Sequence, residues 1–364
     1  MKRTIKLNII RVNQPIGLIY VAKISPDALL QMSKVDRRRI AENDEILGIQ
    51  RELRPEKVKQ IRNYLSTIDS TFPNSIIVNT TSEKVLNETE ETLELYVEET
   101  TFTIIDGQHR VEGFRENIVE NFELIIAIYK DLEISQQANI FSTINSQQTK
   151  VDPSHNLNLE LNRNVYTPIK MMIEIAQSFN FDEESPWYNN IRLLGNQSNG
   201  IISLSAFVKP LLHLTFPEND YYLILNKLTE NSKRFPDFID FNYASDKFLF
   251  WQFYTRKDFN AVYKILLNYF SVLKVILEKD WLNNESLLCK TTGYNAILRL
   301  FKDISIEGVS EGDLSYNFFF KNLEGLKVLN GSINSDNFGT SGFKASNDLY
   351  FEMKRSLAYK DYTQ

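Results

Sequence analysis

At Asp152-Pro153 the spacing of apolar residues changes period, and this limits the chain to a small set of architectures. Before that point, short runs rich in Ile, Val, Tyr and Thr recur: Ile5–Arg11, Gly17–Ile24, Ser75–Asn79, Thr92–Val97, Phe102–Ile105 and Phe122–Lys130. Several alternate apolar with polar residues, the period of a strand with one face buried. Helical stretches lie between them. Pro26 opens one, as proline does in a first turn. Pro55 opens a second, Glu56–Ile68, with Val58, Ile61, Leu65 and Ile68 on one face. A third begins at Gly107, and a fourth runs from Ser135, a suitable N-cap, to Asn145.

After Pro153 the spacing becomes that of helices over Thr167–Phe179, Leu204–Leu214, Tyr221–Asn231, Lys257–Leu282, Thr291–Ile304, Tyr316–Leu329 and Lys344–Ser356. The widest stripe contains Phe259, Val262, Tyr263, Leu266, Leu267, Phe270, Leu273 and Leu277. The prediction is an α+β chain: an α/β domain over 1–150, then a mainly α-helical domain over 151–364.

Composition supports real cores, with 24 Phe, 17 Tyr and 43% hydrophobic residues. The single cysteine, Cys289, forms no internal disulfide, which fits a reducing compartment. The basic N-terminal stretch lacks the apolar core of a signal peptide, and no window reads as the ~18 apolar residues that span a bilayer. The expectation is a cytoplasmic protein without a membrane partner.

Net charge is −6, which disfavours a surface coated all over for DNA. Its distribution is uneven, however. Residues 1–62 carry 14 Lys+Arg against 7 Asp+Glu, leaving 27 against 40 for the rest. A basic first part on an acidic body fits one surface meeting a polyanion, and fits an ordinary solvated face equally well. Within it, Arg37-Arg38-Arg39 is the compact basic triplet best suited to DNA backbone phosphates, joined by Arg54.

Other features point away from chemistry. The acidic run over 83–99 reads as a solvated hairpin, with metal binding the less favoured alternative. The chain has no P-loop, no dinucleotide-binding glycine pattern, no nucleophile elbow and no structural zinc spacing. His109, His155 and His213 stand alone in the sequence. Cys289, Trp187, Trp251 and Trp281 read as packing residues.

The informative stretch is Thr101-Phe-Thr-Ile-Ile-Asp-Gly-Gln-His-Arg-Val-Glu-Gly-Phe. A short strand leads into an Asp-Gly turn, and Val111, Phe114 and Ile118 then recur at helical spacing. Open amides at a helix start favour an anion. Gly107 allows close approach, Arg110 offers a planar fork to phosphate oxygens, and His109 can donate to a phosphate or move a proton. Asp106 can orient His109, bind a metal or cap the helix. An unremarkable N-cap with a polar first turn would also look like this.

Ile105-Asp-Gly-Gln-His-Arg resembles the signature of the DGQHR-domain family, which includes DndB-like proteins of bacterial DNA phosphorothioation clusters. The likeness continues in Gly48-Ile-Gln-Arg-Glu-Leu-Arg-Pro, Phe72-Pro-Asn-Ser-Ile-Ile-Val-Asn and Ile140-Phe-Ser-Thr-Ile-Asn-Ser-Gln-Gln-Thr-Lys-Val, and more weakly in Lys290-Thr-Thr-Gly-Tyr-Asn-Ala-Ile and Gly339-Thr-Ser-Gly-Phe. The resemblance implies a ParB/sulfiredoxin-like core whose strand–turn–helix segment binds nucleotide phosphates. It implies that Asp106, Gly107, Gln108, His109 and Arg110 line a pocket, with Gln50, Arg51 and Asn145 contributing. Asn145 also suits a plain C-cap.

The function so implied is that of a DNA-associated protein of a DNA-modification or phage-defence system. Asp106, His109 and Arg110 would be its catalytic candidates if it is an NTPase or nicking enzyme. ATP or another NTP would then be the cofactor, with the metal left open. DNA and modification enzymes of the same system are the implied partners. A non-enzymatic DNA-binding transcriptional regulator, or a scaffold recruiting those enzymes, remains the alternative.

Overall fold

The β-branched runs of the first part build one mixed sheet in the computed structural model, which describes residues 3–35, 39–40, 46–47, 53–115, 121–147, 152–194, 200–230, 241–339 and 342–358. Tertiary contacts divide the chain into two compact units, Met1–Lys150 and Val151–Gln364.

In the first unit the strands are β1 Thr4–Gln14, β2 Gly17–Ile24, β3 Ser33–Val35, β4 Arg39–Ile40, β5 Ile46–Leu47, β6 Ile76–Thr80, β7 Val85–Glu88, β8 Thr92–Tyr96, β9 Phe102–Asp106 and β10 Leu124–Lys130. The helices are α1 Pro26–Met32, α2 Pro55–Leu65, α3 Gln108–Gly113 and α4 Ile134–Gln147. Eight strands form a sheet in the order β3-β9-β6-β10-β2-β1-β8-β7, and β4 pairs with β5 separately. The β6–β10 and β3–β9 pairs are parallel; the others in the large sheet are antiparallel. The acidic hairpin expected over 83–99 is the β7–β8 pair.

Alternation sends Leu7, Ile9, Tyr20, Ala22, Ile126 and Ile128 to one face, where Leu29, Met32, Leu65, Val111 and Phe114 of the segments around α1–α3 complete a core. The opposite face carries Ile19, Ile105 and Tyr129, covered by Ile140 and Phe141 of α4. The sheet also curls. Glu88 of β7 accepts from Arg11 and Tyr20 at 2.6 and 2.7 Å and from Lys130 of β10 at 2.6 Å. β7 and β10 are four strands apart, which would be about 19 Å in a flat sheet, so the β7 edge must fold over the inner face. Burial alone would raise the Glu88 pKa, but Lys130, Tyr20 and Arg11 together hold it below the usual carboxylate value.

Two helix expectations shift. α2 stops at Leu65, so Ile68 lies beyond it and is 62% exposed, while Val58 and Leu65 are buried as the stripe required. α4 begins at Ile134, placing Ser135 inside the first turn rather than at the cap. The Glu133 amide there is held by Gln136 Oε1 at 2.9 Å.

The second unit is helical: α5 Pro153–Leu159, α6 Pro168–Phe181, α7 Leu204–Leu212, α8 Tyr221–Glu230, α9 Trp251–Thr255, α10 Phe259–Ile276, α11 Thr291–Glu311, α12 Tyr316–Leu323, α13 Ser335–Phe338 and α14 Phe343–Ala358. A two-stranded parallel pair, β11 Ile191–Arg192 with β12 Ile202–Ser203, is added to it. Thr167, Ser203 and Ser315 cap α6, α7 and α12 through their hydroxyls, and Asp258 caps α10 through its carboxylate.

Trp187, Trp251 and Trp281 all enter the aromatic core, so none is available to stack a base. Cys289 is buried there, its thiol pushed up to about 12 by burial, which leaves it a packing residue. α10 has 18 residues and a mean hydropathy of 1.2, enough by length and composition to cross a membrane, contrary to the sequence reading. Val262, Leu266, Phe270 and Leu273 instead face the core, which accounts for its apolarity.

Candidate functional site

β9 carries the site's backbone. Ile104 and Ile105 anchor it to opposite faces of the sheet, so Asp106 emerges at the sheet's end opposite Ile77 of β6. Gly107 then turns the chain at φ 99° and is the N-cap of α3, so Asp106 does not take that role. A Cβ at 107 would meet Ile76 Cδ1 at 2.6 Å, so glycine is required for space as well as for backbone angle. α3 is a single six-residue element ending at Gly113, shorter than the Val111–Phe114–Ile118 spacing suggested; Ile118 lies outside the described residues. A helix that short contributes little dipole. Two of its early amides, Arg110 N and Val111 N, already donate to Gly107 O at 2.9 and 3.1 Å.

The pentapeptide turns inward. Arg110 donates through Nη1 to Asn74 O at 2.6 Å and through Nη2 to Ser75 O at 3.2 Å and Asp106 Oδ2 at 3.0 Å. Its side chain is 19% exposed, and that of Asp106 is 27% exposed. Burial lowers the guanidinium pKa while Asp106 opposes the shift. The fork that suits a phosphate is therefore spent on the chain entering β6. Gln108 is buried at 7% exposure.

His109 is the outward-reaching member. Its Nε2 accepts from the Arg54 amide at 3.1 Å, so the imidazole orders the residue that begins α2. An accepting Nε2 requires the neutral form with the proton on Nδ1. Burial lowers the His109 pKa, the positive charges of Lys57 and Arg54 lower it further, and Asp106 opposes them. Asp106 acts on the imidazole through this charge and makes no hydrogen bond to it among those described; its bonded partner is Arg110. Gly113 completes the contact between α3 and α2: a Cβ there would meet Ile61 Cγ2 at 2.4 Å.

The structure thus brings Asp106, Gly107, Gln108, His109, Arg110 and Arg54 together. Gln50, Arg51, Arg37 and Arg38 lie outside the described residues. Arg39 on β4 and Asn145 on α4 are described in backbone only, and α4 continues two residues past Asn145, which is therefore not its C-cap.

Sequence reading missed three contributors. The Asn74 and Ser75 carbonyls hold Arg110, but a carbonyl acceptor leaves no trace in residue type. Lys57 sits one turn into α2, exposed, where Arg54-Pro-Glu-Lys in a helix start was its only signal. Arg54 and Lys57 have no ion-pair partner among the described residues.

Among the described residues no group of His, Cys, Asp and Glu is arranged to hold a metal ion. No curated protein and no solved structure matches the chain. A family model described as DNA-sulfur modification-associated, DndB, matches residues 7–221, more than half of the chain, and the chain belongs to that family.

Proposed function

We propose that this protein binds DNA within a DNA phosphorothioate modification system, and that the surface around His109 holds a backbone phosphate. Membership of the DndB family supplies the system. One observation carries the phosphate reading: Arg54 and Lys57, exposed and without ion-pair partners among the described residues, flank a neutral imidazole whose accepting nitrogen is occupied. What remains of that imidazole is an N–H donor beside two cations, the donor set a phosphate oxygen accepts from.

In this reading Asp106, Gly107 and Arg110 keep the junction rigid, and His109 is a ligand rather than an acid–base group. The N-terminal sheet with its strand–turn–helix is read as ParB/sulfiredoxin-like. On its sequence alone, the basic triplet Arg37-Arg38-Arg39 is proposed as a further contact to the DNA backbone.

Titration of a labelled DNA duplex with the full chain at several salt concentrations tests this. Arg54→Glu with Lys57→Glu is expected to weaken binding and to reduce the slope of log K against log salt by roughly 0.9, the share of one phosphate contact. Equal affinity and slope in the variant would refute the assignment. ATP as a competitor asks whether a free triphosphate takes the same surface.

A further inference from the structure

The second unit contains a cavity of about 590 Å³ between α7, α11 and α14. That is within the range of about 300–1,000 Å³ usual for small-molecule sites. Its lining is one-signed: residues 151–364 hold 22 Lys+Arg against 25 Asp+Glu, yet no acidic side chain among the described residues lines it. Four basic side chains do. Lys209 and His213 lie one turn apart along and just after α7, and Arg299 and Lys302 lie one turn apart on α11.

Lys209 and Lys302 have no ion-pair partner among the described residues. Arg299 is fixed in place, its guanidinium 4.0 Å above the Tyr350 ring with Nη1 bonded to Asn347 Oδ1, so its orientation is set before any ligand arrives. The rest of the wall is largely apolar, with Pro210, Leu214 and Leu298 lining it and the Phe343 ring, 82% exposed, beside them. At the start of α11 the N-cap Lys290 gives no side-chain cap, and Thr291 and Thr292 face the same space.

We infer that this cavity takes a nucleoside phosphate: a phosphate among Lys209, Arg299 and Lys302, and a planar base against the apolar wall and Phe343. Inorganic anions would use the cations but leave the exposed Phe343 ring wet. A purely apolar ligand would leave the cations at the rim without a partner and gain nothing from them. A nucleotide satisfies both halves, because a base presents a π-face to an aromatic ring whatever its identity. The same chemistry is offered by a free nucleotide and by a nucleotide of a single strand. The site is built from residues of the second unit alone and does not depend on the His109 reading.

Isothermal titration calorimetry of the full chain with ATP, tripolyphosphate and a short single-stranded deoxythymidine oligonucleotide tests the inference. Lys209→Ala with Lys302→Ala is expected to weaken nucleotide binding about tenfold or more, since two charge-assisted contacts are lost. Phe343→Ala is expected to weaken ATP or oligonucleotide binding several-fold and to leave tripolyphosphate unchanged. Arg54→Glu with Lys57→Glu leaves this binding in place. ATP tighter than the oligonucleotide identifies a free nucleotide as ligand, and the reverse order identifies a strand. No binding of either nucleotide, binding indifferent to Lys209 and Lys302, or tripolyphosphate as tight as ATP overturns the proposal. Nucleotide binding lost only with Arg54 and Lys57 overturns it as well, while leaving the other site standing.

Discussion

Replacing Arg110 by alanine removes three hydrogen bonds at once: to Asn74 O, Ser75 O and Asp106 Oδ2. At roughly 1 kcal/mol net for each, and with a partly exposed Asp106 able to regain water, the loss is about 3 kcal/mol. In urea, with a slope of about 2 kcal/mol/M, the midpoint of the first unit should fall by about 1.5 M. Arg110→Lys keeps the attraction to Asp106 but loses the fork, and should recover only a minor part. The assay is urea unfolding followed by far-ultraviolet circular dichroism, with hydrogen exchange on the amides of 74–80 and 108–113 to locate the weakening. Tryptophan emission serves as the control, because Trp187, Trp251 and Trp281 all lie in the second unit. An unchanged midpoint with unchanged exchange would show that Arg110 does not hold the junction. The alternative, a guanidinium reserved for phosphate, predicts that outcome together with lost DNA binding.

The lowered His109 pKa gives a pH dependence with a definite sign. The unfolded imidazole takes up a proton near its ordinary value of 6.5, and the folded one only at lower pH. Stability from this group is therefore complete above that value and declines as pH falls from there toward the folded pKa. A stability profile across pH 5–8 that is no flatter for His109→Gln than for the parent would contradict the argument. Glycine substitutions should hurt for two different reasons. Gly107→Ala meets both the positive φ and Ile76, and Gly113→Ala meets Ile61 alone, each costing about 1–3 kcal/mol or more. Thermal melts in which either variant matches the parent would show that α3 has room the structure does not give it.

The candidate site was legible in outline. Asp106-Gly107 announced a turn after a strand, and the junction lies there because the buried Phe102–Ile105 run ends at that point. The roles within it were not legible. Residue type shows that Arg110 can make a fork but not that the carbonyls of 74 and 75 arrive to fill it, since their approach depends on β6 pairing antiparallel with β9. In sequence His109 reads as a phosphate donor or a proton shuttle; that its Nε2 accepts from the Arg54 amide is not legible there, because that amide lies 55 residues away. Ile68 fitted the helix stripe and is nevertheless exposed, because the helix stops first, with the Thr67 amide donating back to Tyr64 O.

By itself the sequence determined what depends on neighbours along the chain: strand period before Pro153, helix period after it, capping residues, and a glycine where the backbone turns left-handed. Such features are set by sterics and hydrogen bonds over a few residues. Only the tertiary structure decided the order of the eight strands, the curl that brings Glu88 to Lys130, and the direction of the Arg110 side chain. It alone gathered Lys209, Arg299 and Lys302, some ninety residues apart at the extremes, around one cavity. Each of these arises from contacts between segments distant in sequence, and local propensity contains no information about them.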